Sequence, residues 1–191
     1  MDIILASTSP YRRRLLERLQ VDFRCEAPDT DETPLPGEAP EPLARRLALA
    51  KAQSVSNDYP ESLVIGSDQV ASLDRQVIGK PGCFEAAFRQ LQASSGREVA
   101  FYTGLALTCT VQGLERVIVE PYHVQFRALT EQQIKNYLKK EEPYDCAGSF
   151  KAEGLGIALF EAMHGNDPSS LEGLPLIALT GLLSGANISI L

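Results

Sequence analysis

Positive charge is in short supply in this chain of 191 residues: 18 lysines and arginines stand against 25 aspartates and glutamates, for a formal charge of −7. An electrostatic grip on duplex nucleic acid needs a basic face, so the balance argues against that partner. A small polyanion stays open, provided that local cations or a metal offset the field. No apolar run is long enough to cross a bilayer. The opening Met1-Asp2-Ile3-Ile4-Leu5-Ala6 has an acid and a short apolar stretch before Ser7, unlike a signal peptide. The four cysteines (Cys25, Cys83, Cys109, Cys146) form no CxxC pair, which speaks for reduced thiols in a cytoplasmic protein. Tryptophan is absent, and the two histidines, His123 and His164, accompany no nucleophile motif. No Ser-His-Asp set is evident, and both histidines read as structural.

What is present is the balance of a soluble globular protein, 44% hydrophobic and 23% charged, sized for one domain over residues 1–191 with two lobes. Asp2 to Ala6 reads as a strand. Ser9 suits an N-cap and Pro10 a first helical position, so a helix is expected from Pro10 to about Gln20, followed by a strand over Val21 to Ala27. Residues 26–42 hold six acids, five prolines and no basic residue, an acidic extended loop. A helix over Glu41 to about Asn57, a strand over Leu63 to Ala71, and a turn leading into Val77 to Pro81 come next. A helix over 84–93, two long strands over about 98–111 and 114–127 joined at Gln112-Gly113, and a helix from Thr130 to Lys140 follow. A glycine-punctuated stretch (Gly148, Gly154, Gly156) precedes a closing helix over about Leu176 to Leu183. Strands interleaved with helices plus one hairpin indicate an α/β fold with a mixed sheet.

The segment Ser7-Thr8-Ser9-Pro10 places three hydroxyls at a helix start, where free N–H groups and the dipole favour an anion, although plain capping would use the same residues. It is not a P-loop, for the glycines and the Gly-Lys-Ser/Thr ending are missing. Arg12 precedes Leu15, Leu16 and Leu19 by three, four and seven residues and projects along the buried edge of their stripe. It needs an anionic partner there, either the acidic loop or a ligand. Tyr11 flanks the hydroxyl loop, and Arg13 and Arg14 turn toward solvent. Lys51 interrupts the apolar face of Ala44, Leu47, Ala48 and Val55; it either snorkels to water or turns inward as a second cation. Asp68 interrupts a strand whose neighbours imply burial, and Gly66 before it permits a close approach. Such a carboxylate is either structurally paired or chemically active. Lys80, on the turn Gly79-Lys80-Pro81, is a third cation or a solvated turn lysine. Glu32 could help hold a hard divalent cation or belong to a solvated charge run. Together these pieces suit hydrolysis of a phosphoanhydride, with one carboxylate as base and a metal to neutralise phosphate charge.

Those segments, in order, carry a resemblance. Leu5-Ala6-Ser7-Thr8-Ser9-Pro10 with Arg12, Asp31-Glu32-Thr33-Pro34, Lys51-Ala52, Gly66-Ser67-Asp68-Gln69, Gly79-Lys80-Pro81, Tyr102-Thr103-Gly104 and Gly173-Leu174-Pro175 resemble the Maf family of nucleoside triphosphate pyrophosphatases along nearly the whole chain. Gly66-Ser67-Asp68-Gln69 and Ala147-Gly148-Ser149-Phe150-Lys151-Ala152-Glu153-Gly154 resemble its YceF-like, 7-methyl-GTP branch rather than the dTTP/UTP branch. The resemblance implies a mixed, elongated twisted sheet flanked by helices, of the Maf/ITPase-like kind, with a cleft between two lobes. It implies Asp68 as proton acceptor, with Ser7, Arg12, Lys51 and Lys80 on the triphosphate and Glu32 with Asp68 on a divalent metal, Mg²⁺ or Mn²⁺. Tyr11, Gln69 and Glu153 would set base specificity, Tyr11 standing where that branch often has tryptophan. The implied reaction converts 7-methyl-GTP to its monophosphate and pyrophosphate in the cytoplasm, by a protein without nucleic-acid or membrane partners and with a homodimer suggested. A dTTP/UTP pyrophosphatase and a non-catalytic nucleotide-binding protein are the competing readings. A tyrosine face attracts the methylated base cation by roughly 0.5–2 kcal/mol, and an acceptor-only carboxylate at Glu153 matches the donor edge of guanine.

Overall fold

In a computed structural model describing residues 1–191, one sheet of seven strands runs through the molecule in the order β2-β1-β3-β5-β6-β7, with β4 attached to β3. The strands are β1 (Ile3–Ala6), β2 (Phe23–Glu26), β3 (Leu63–Leu73), β4 (Gln76–Ile78), β5 (Glu98–Cys109), β6 (Leu114–Phe126) and β7 (Phe160–Gly165). The helices are α1 (Pro10–Glu17), α2 (Pro40–Asp58), α3 (Phe84–Ser94), α4 (Glu131–Glu141) and α5 (Leu176–Gly185). β1 pairs in parallel with β2 and β3, and every other pairing is antiparallel. The mixed sheet read from the sequence is therefore present. No helix is long and apolar enough to cross a membrane.

Alternation along the strands sorts the core onto two faces. Ile3, Leu5, Leu63, Ile65, Leu105 and Leu107 pack under α1 and α5 with Leu15, Leu16, Leu179 and Leu183. Ile4, Ala6, Val64 and Ala106 turn the other way, beneath Ala48, Ala52 and Val55 of α2. A second lobe gathers around Phe101, Phe126, Phe150 and Phe160, four rings in edge-to-face contact, backed by α3 and α4. β3, β5 and β6 pass through both lobes.

Small residues let α2 lie directly on the sheet. A Cβ on Gly66 would fall 2.3 Å from the Ala48 carbonyl oxygen, and one on Gly104 would fall 2.2 Å from that of Ala44. Both distances are sub-van der Waals, so only glycine fits. The close approach expected at Gly66 is thus made by helix backbone.

Most boundaries differ from the sequence reading by a few residues, and one strand was not read. α1 stops at Glu17 instead of about Gln20, because Arg18 to Gln20 form a turn in which Gln20 takes φ +54°. No glycine marks that stop, and Leu19 still packs on the core, so the apolar stripe outlasts the helix. β2 is also shorter, ending at Glu26. β7 has no counterpart in the sequence reading: Phe-Glu-Ala-Met-His-Gly lacks both alternation and β-branched residues. It forms because the exposed flank of β6 offers unpaired backbone.

Candidate functional site

The sheet leaves a gap beside the middle of β3. β1 ends at Ala6, opposite Gly66 of β3, and β4 begins pairing only at Ala71. Between them Ser67, Asp68, Gln69 and Val70 have a strand neighbour on the β5 side alone. Alternation sends Asp68 to the α2 face and Ser67 and Gln69 to the opposite one. Into this gap opens a cavity of about 430 Å³ whose walls include the α1 entry loop, the acidic loop, Lys80 and the segments around Glu153 and Gly173.

The hydroxyl loop forms as expected. Ser7 is buried and its Oγ accepts from Ser9 N at 3.1 Å. Ser9 caps α1, accepting from Arg12 N at 3.4 Å, and Pro10 takes the first turn. Pro10 has no N–H and Arg13 N donates to Ser9 O, so Tyr11 N is the one amide of this turn left without a partner.

Lys51 turns inward. It is only 6% exposed, and its Nζ lies 2.6 Å from Asp68 Oδ1 and 2.5 Å from Glu32 Oε1. The hydrogen bond from Lys51 holds the Glu32 carboxyl below its ordinary range against some burial, with Lys80 and Arg12 adding to the effect. Asp68 is 8% exposed and sits behind Lys51, which itself lines the cavity. Lys80 lies exposed on the rim and forms no hydrogen bond to the protein.

Arg12 has no carboxylate partner. Its Nε donates to Gly173 O at 2.8 Å, and the rest of the guanidinium makes no hydrogen bond within the chain. Burial lowers its pKa, while Asp68 and Glu32 favour the charged form. Of the two partners open to Arg12, the acidic loop is not the one observed, so the free edge faces the cavity. Arg13 and Arg14 are exposed, as read, but Arg14 also lies over the Tyr11 ring at 5.2 Å, covering one of its faces.

The Gly173 carbonyl takes a second bond from the Ser67 hydroxyl at 2.9 Å, a donor shared with Gly104 O at 2.8 Å. Gln69 is anchored in the same segment: its Nε2 donates to Ser170 O at 2.7 Å and Leu171 O at 3.1 Å and lies 3.2 Å from Thr103 Oγ1. With its amide nitrogen committed to protein, Gln69 has only its carbonyl oxygen left for a ligand.

The far end of the cavity is acidic. Tyr11, half-buried, has Asp145, Cys146 and Glu153 near enough that, after burial, they are what raises its phenol pKa. Glu172 lies on the same wall, its carboxyl pushed up first by burial and then by Glu153. Burial and Asp145 push the Cys146 thiol up to about 12. Neither Glu153 nor Glu172 has an ion-pair partner within the chain.

A model of the family described as Maf-like protein matches residues 2–186. The chain belongs to the Maf family. A curated relative, the 7-methyl-GTP pyrophosphatase of Nitrosococcus oceani, is 57% identical over 189 residues, which is 99% of this chain and 95% of that protein. Among solved structures, the Staphylococcus aureus Ham1 protein superposes with a TM-score of 0.56 at 14% identity, covering 97% of this chain and all of that one, a likeness of fold.

In this Maf protein Ser7, Tyr11, Arg12, Glu32, Lys51, Gln69, Lys80 and Glu153 all line one cavity, with Asp68 joined to it by Lys51. Asp145, Cys146, Glu172 and the Gly173 carbonyl went unread. Of these only Gly173 left a signal, the Gly-Leu-Pro triplet; its φ of +106° needs glycine. His123 and His164 lie opposite each other on β6 and β7, His123 facing Glu98 at 3.1 Å, and neither lines the cavity.

Proposed function

We propose that this protein is a pyrophosphatase that hydrolyses 7-methyl-GTP to 7-methyl-GMP and pyrophosphate. The observation that carries the reading is the polarity of one cavity, with Arg12, Lys80 and Lys51 gathered about Glu32 and Asp68 at one end and Glu153, Glu172 and Asp145 about Tyr11 at the other. A triphosphate suits the first end. A guanine made cationic at N7 suits the second, and the free oxygens of Gln69 and Glu153 are acceptors for its N1–H and 2-amino donors. Thymine and uracil offer a single ring N–H and no positive charge, leaving one of these two acceptors unmatched. The 57% identical relative named for this activity supports the same choice.

In the proposed reaction a water attacks the α-phosphorus, Asp68 takes its proton, and the bond to the β-phosphate bridging oxygen breaks to release pyrophosphate. Lys51 holds the Asp68 carboxylate in place, and the triphosphate arrives as a third anion at an ammonium that Glu32 and Asp68 already share. Arg12 and Lys80 then bear on the non-bridging oxygens, where charge builds.

No set of three His, Cys, Asp or Glu side chains converges to make a protein-only metal cage. Magnesium-type ions need only one or two carboxylates when substrate phosphates and waters complete the shell, and Glu32 and Asp68, already drawn together by Lys51, fit that pattern. Held there, a divalent ion would neutralise phosphate charge and acidify a bound water.

The test is pyrophosphate release from a panel of nucleoside triphosphates, with and without EDTA. We expect the highest kcat/KM on 7-methyl-GTP and loss of turnover with EDTA. A preference for dTTP or UTP would overturn the substrate assignment, and no turnover with any divalent metal would leave nucleotide binding alone.

A further inference from the structure

Asp167 is 2% exposed, carries a carboxylate and forms no ion pair. Its charge is met by donors of its own segment. Oδ1 accepts from Ser169 N at 3.1 Å and from the Ser169 hydroxyl at 2.5 Å, and Oδ2 accepts from Ile177 N at 2.6 Å. The Ser169 Oγ in turn accepts from Leu176 N at 2.8 Å. Both free N–H groups lie in the first turn of α5, where a negative charge is favoured. The bracket therefore ties the two ends of residues 167–177 together.

Between those ends lie three carbonyls that hold cavity side chains. Ser170 O and Leu171 O hold the Gln69 amide, and Gly173 O holds Arg12 Nε. Arg12 stands at the phosphate end and Gln69 at the gap in the sheet leading to the base end. One buried carboxylate thus stands behind the orientation of two recognition side chains that it does not touch.

We infer that Asp167, with Ser169 as its partner, is a positioning residue for nucleotide recognition, fixing the carbonyls that aim Arg12 at the triphosphate and present the Gln69 oxygen to the base. The inference rests on the nucleotide reading of the cavity. Loss of the bracket lets the carbonyls drift, and a hydrogen bond to a charged group is worth enough to weaken binding about tenfold when misplaced. A brace that served folding alone would change stability and the fraction of active protein, with affinity and selectivity untouched.

The experiment is calorimetric binding of 7-methyl-GTP, GTP and dTTP to wild type, Asp167→Ala, Asp167→Asn and Ser169→Ala, with thermal melting of each. Ser169→Ala leaves the carboxylate and its Ile177 bond in place, so it supplies a folded variant if Asp167→Ala does not fold. In folded variants we expect the Kd for 7-methyl-GTP to rise about tenfold and its advantage over dTTP to shrink. Asp167→Asn, which keeps one acceptor oxygen, should recover part of both. In an Arg12→Ala background Ser169→Ala should weaken nucleotide binding less than it does in wild type, the remainder acting through Gln69. Folded variants with wild-type Kd and selectivity, or with reduced stoichiometry alone, would overturn the inference and leave the reading of the cavity standing. Failure of the wild type to bind any of the three nucleotides would overturn that reading and the inference with it.

Discussion

Lys51 on α2 and Asp68 on β3 meet at 2.6 Å, both less than a tenth exposed, so that each offsets part of the other's cost of burial. Glu32 shares the same ammonium from the exposed side, and the trio keeps one net negative charge.

Removing the ammonium strands Asp68 without a partner. Lys51→Met should cost about 3–5 kcal/mol in urea unfolding, and adding Asp68→Asn should recover most of it. Asp68→Asn by itself should stay folded and bind nucleotide while pyrophosphate release falls roughly 10²–10⁴-fold. A double variant no more stable than Lys51→Met would show that the pair carries no such energy.

The seat of α2 is equally specific. Gly104→Ala puts a methyl 2.2 Å from the Ala44 carbonyl oxygen, and the helix must lift to admit it. Overpacking of this kind costs about 1–3 kcal/mol, and the displacement moves Lys51, so turnover should drop further than the thermal midpoint alone implies. Gly181→Ala is the counterpart: it sits inside α5 with nothing within 4 Å of the new methyl, and it should stabilise by about 0.5–1 kcal/mol. A wild-type melting curve for Gly104→Ala would refute the packing account.

Cysteine labelling separates the cavity from the surface. With its thiol pushed up to about 12 by burial and Asp145, Cys146 holds almost no thiolate near neutrality and should resist a disulfide reagent. Cys83 is exposed and should react first. Mass spectrometry of the singly labelled protein decides between them, and early modification of Cys146 would contradict the described environment.

Acid should loosen the proline-rich loop. Arg46 grips Glu38 at 2.7 Å and also donates to Thr33 O, holding the Glu38 carboxyl at about 2 against an ordinary 4.5. A carboxyl depressed in the folded state stabilises above its unfolded pKa and loses that contribution as pH falls toward the folded one. The gap in stability between wild type and Glu38→Gln should therefore be full at pH 6 and close between about 4.5 and 2. A gap that stays constant down to pH 2 would exclude the linkage.

Much of the site was legible because charge among apolar neighbours is expensive and so conspicuous. Arg12 on a leucine stripe, Lys51 on an alanine face and Asp68 inside a strand each break a local pattern, and all three converge. Asp145 and Glu172 broke no pattern, since carboxylates in loops are ordinary until the fold turns them toward a cavity. The Gly-Leu-Pro triplet marked Gly173, but the part its carbonyl plays could not be read, because a main-chain acceptor has no letter in the sequence. Of the fold, α2, an Ala- and Leu-rich run opening on a proline, was found almost to the residue. β7 escaped because it owes its existence to β6's free flank instead of its own composition.

The long strands shared by both lobes carry a consequence for how a ligand is admitted. A jaw hinged on a flexible connection can clamp down after its guest arrives, but here the floor of the cleft is continuous β-ladder from end to end. Swinging one half against the other would tear that ladder. Any closing on a ligand therefore falls to the loops that wall the cavity, the acidic loop and the entry to α1 among them.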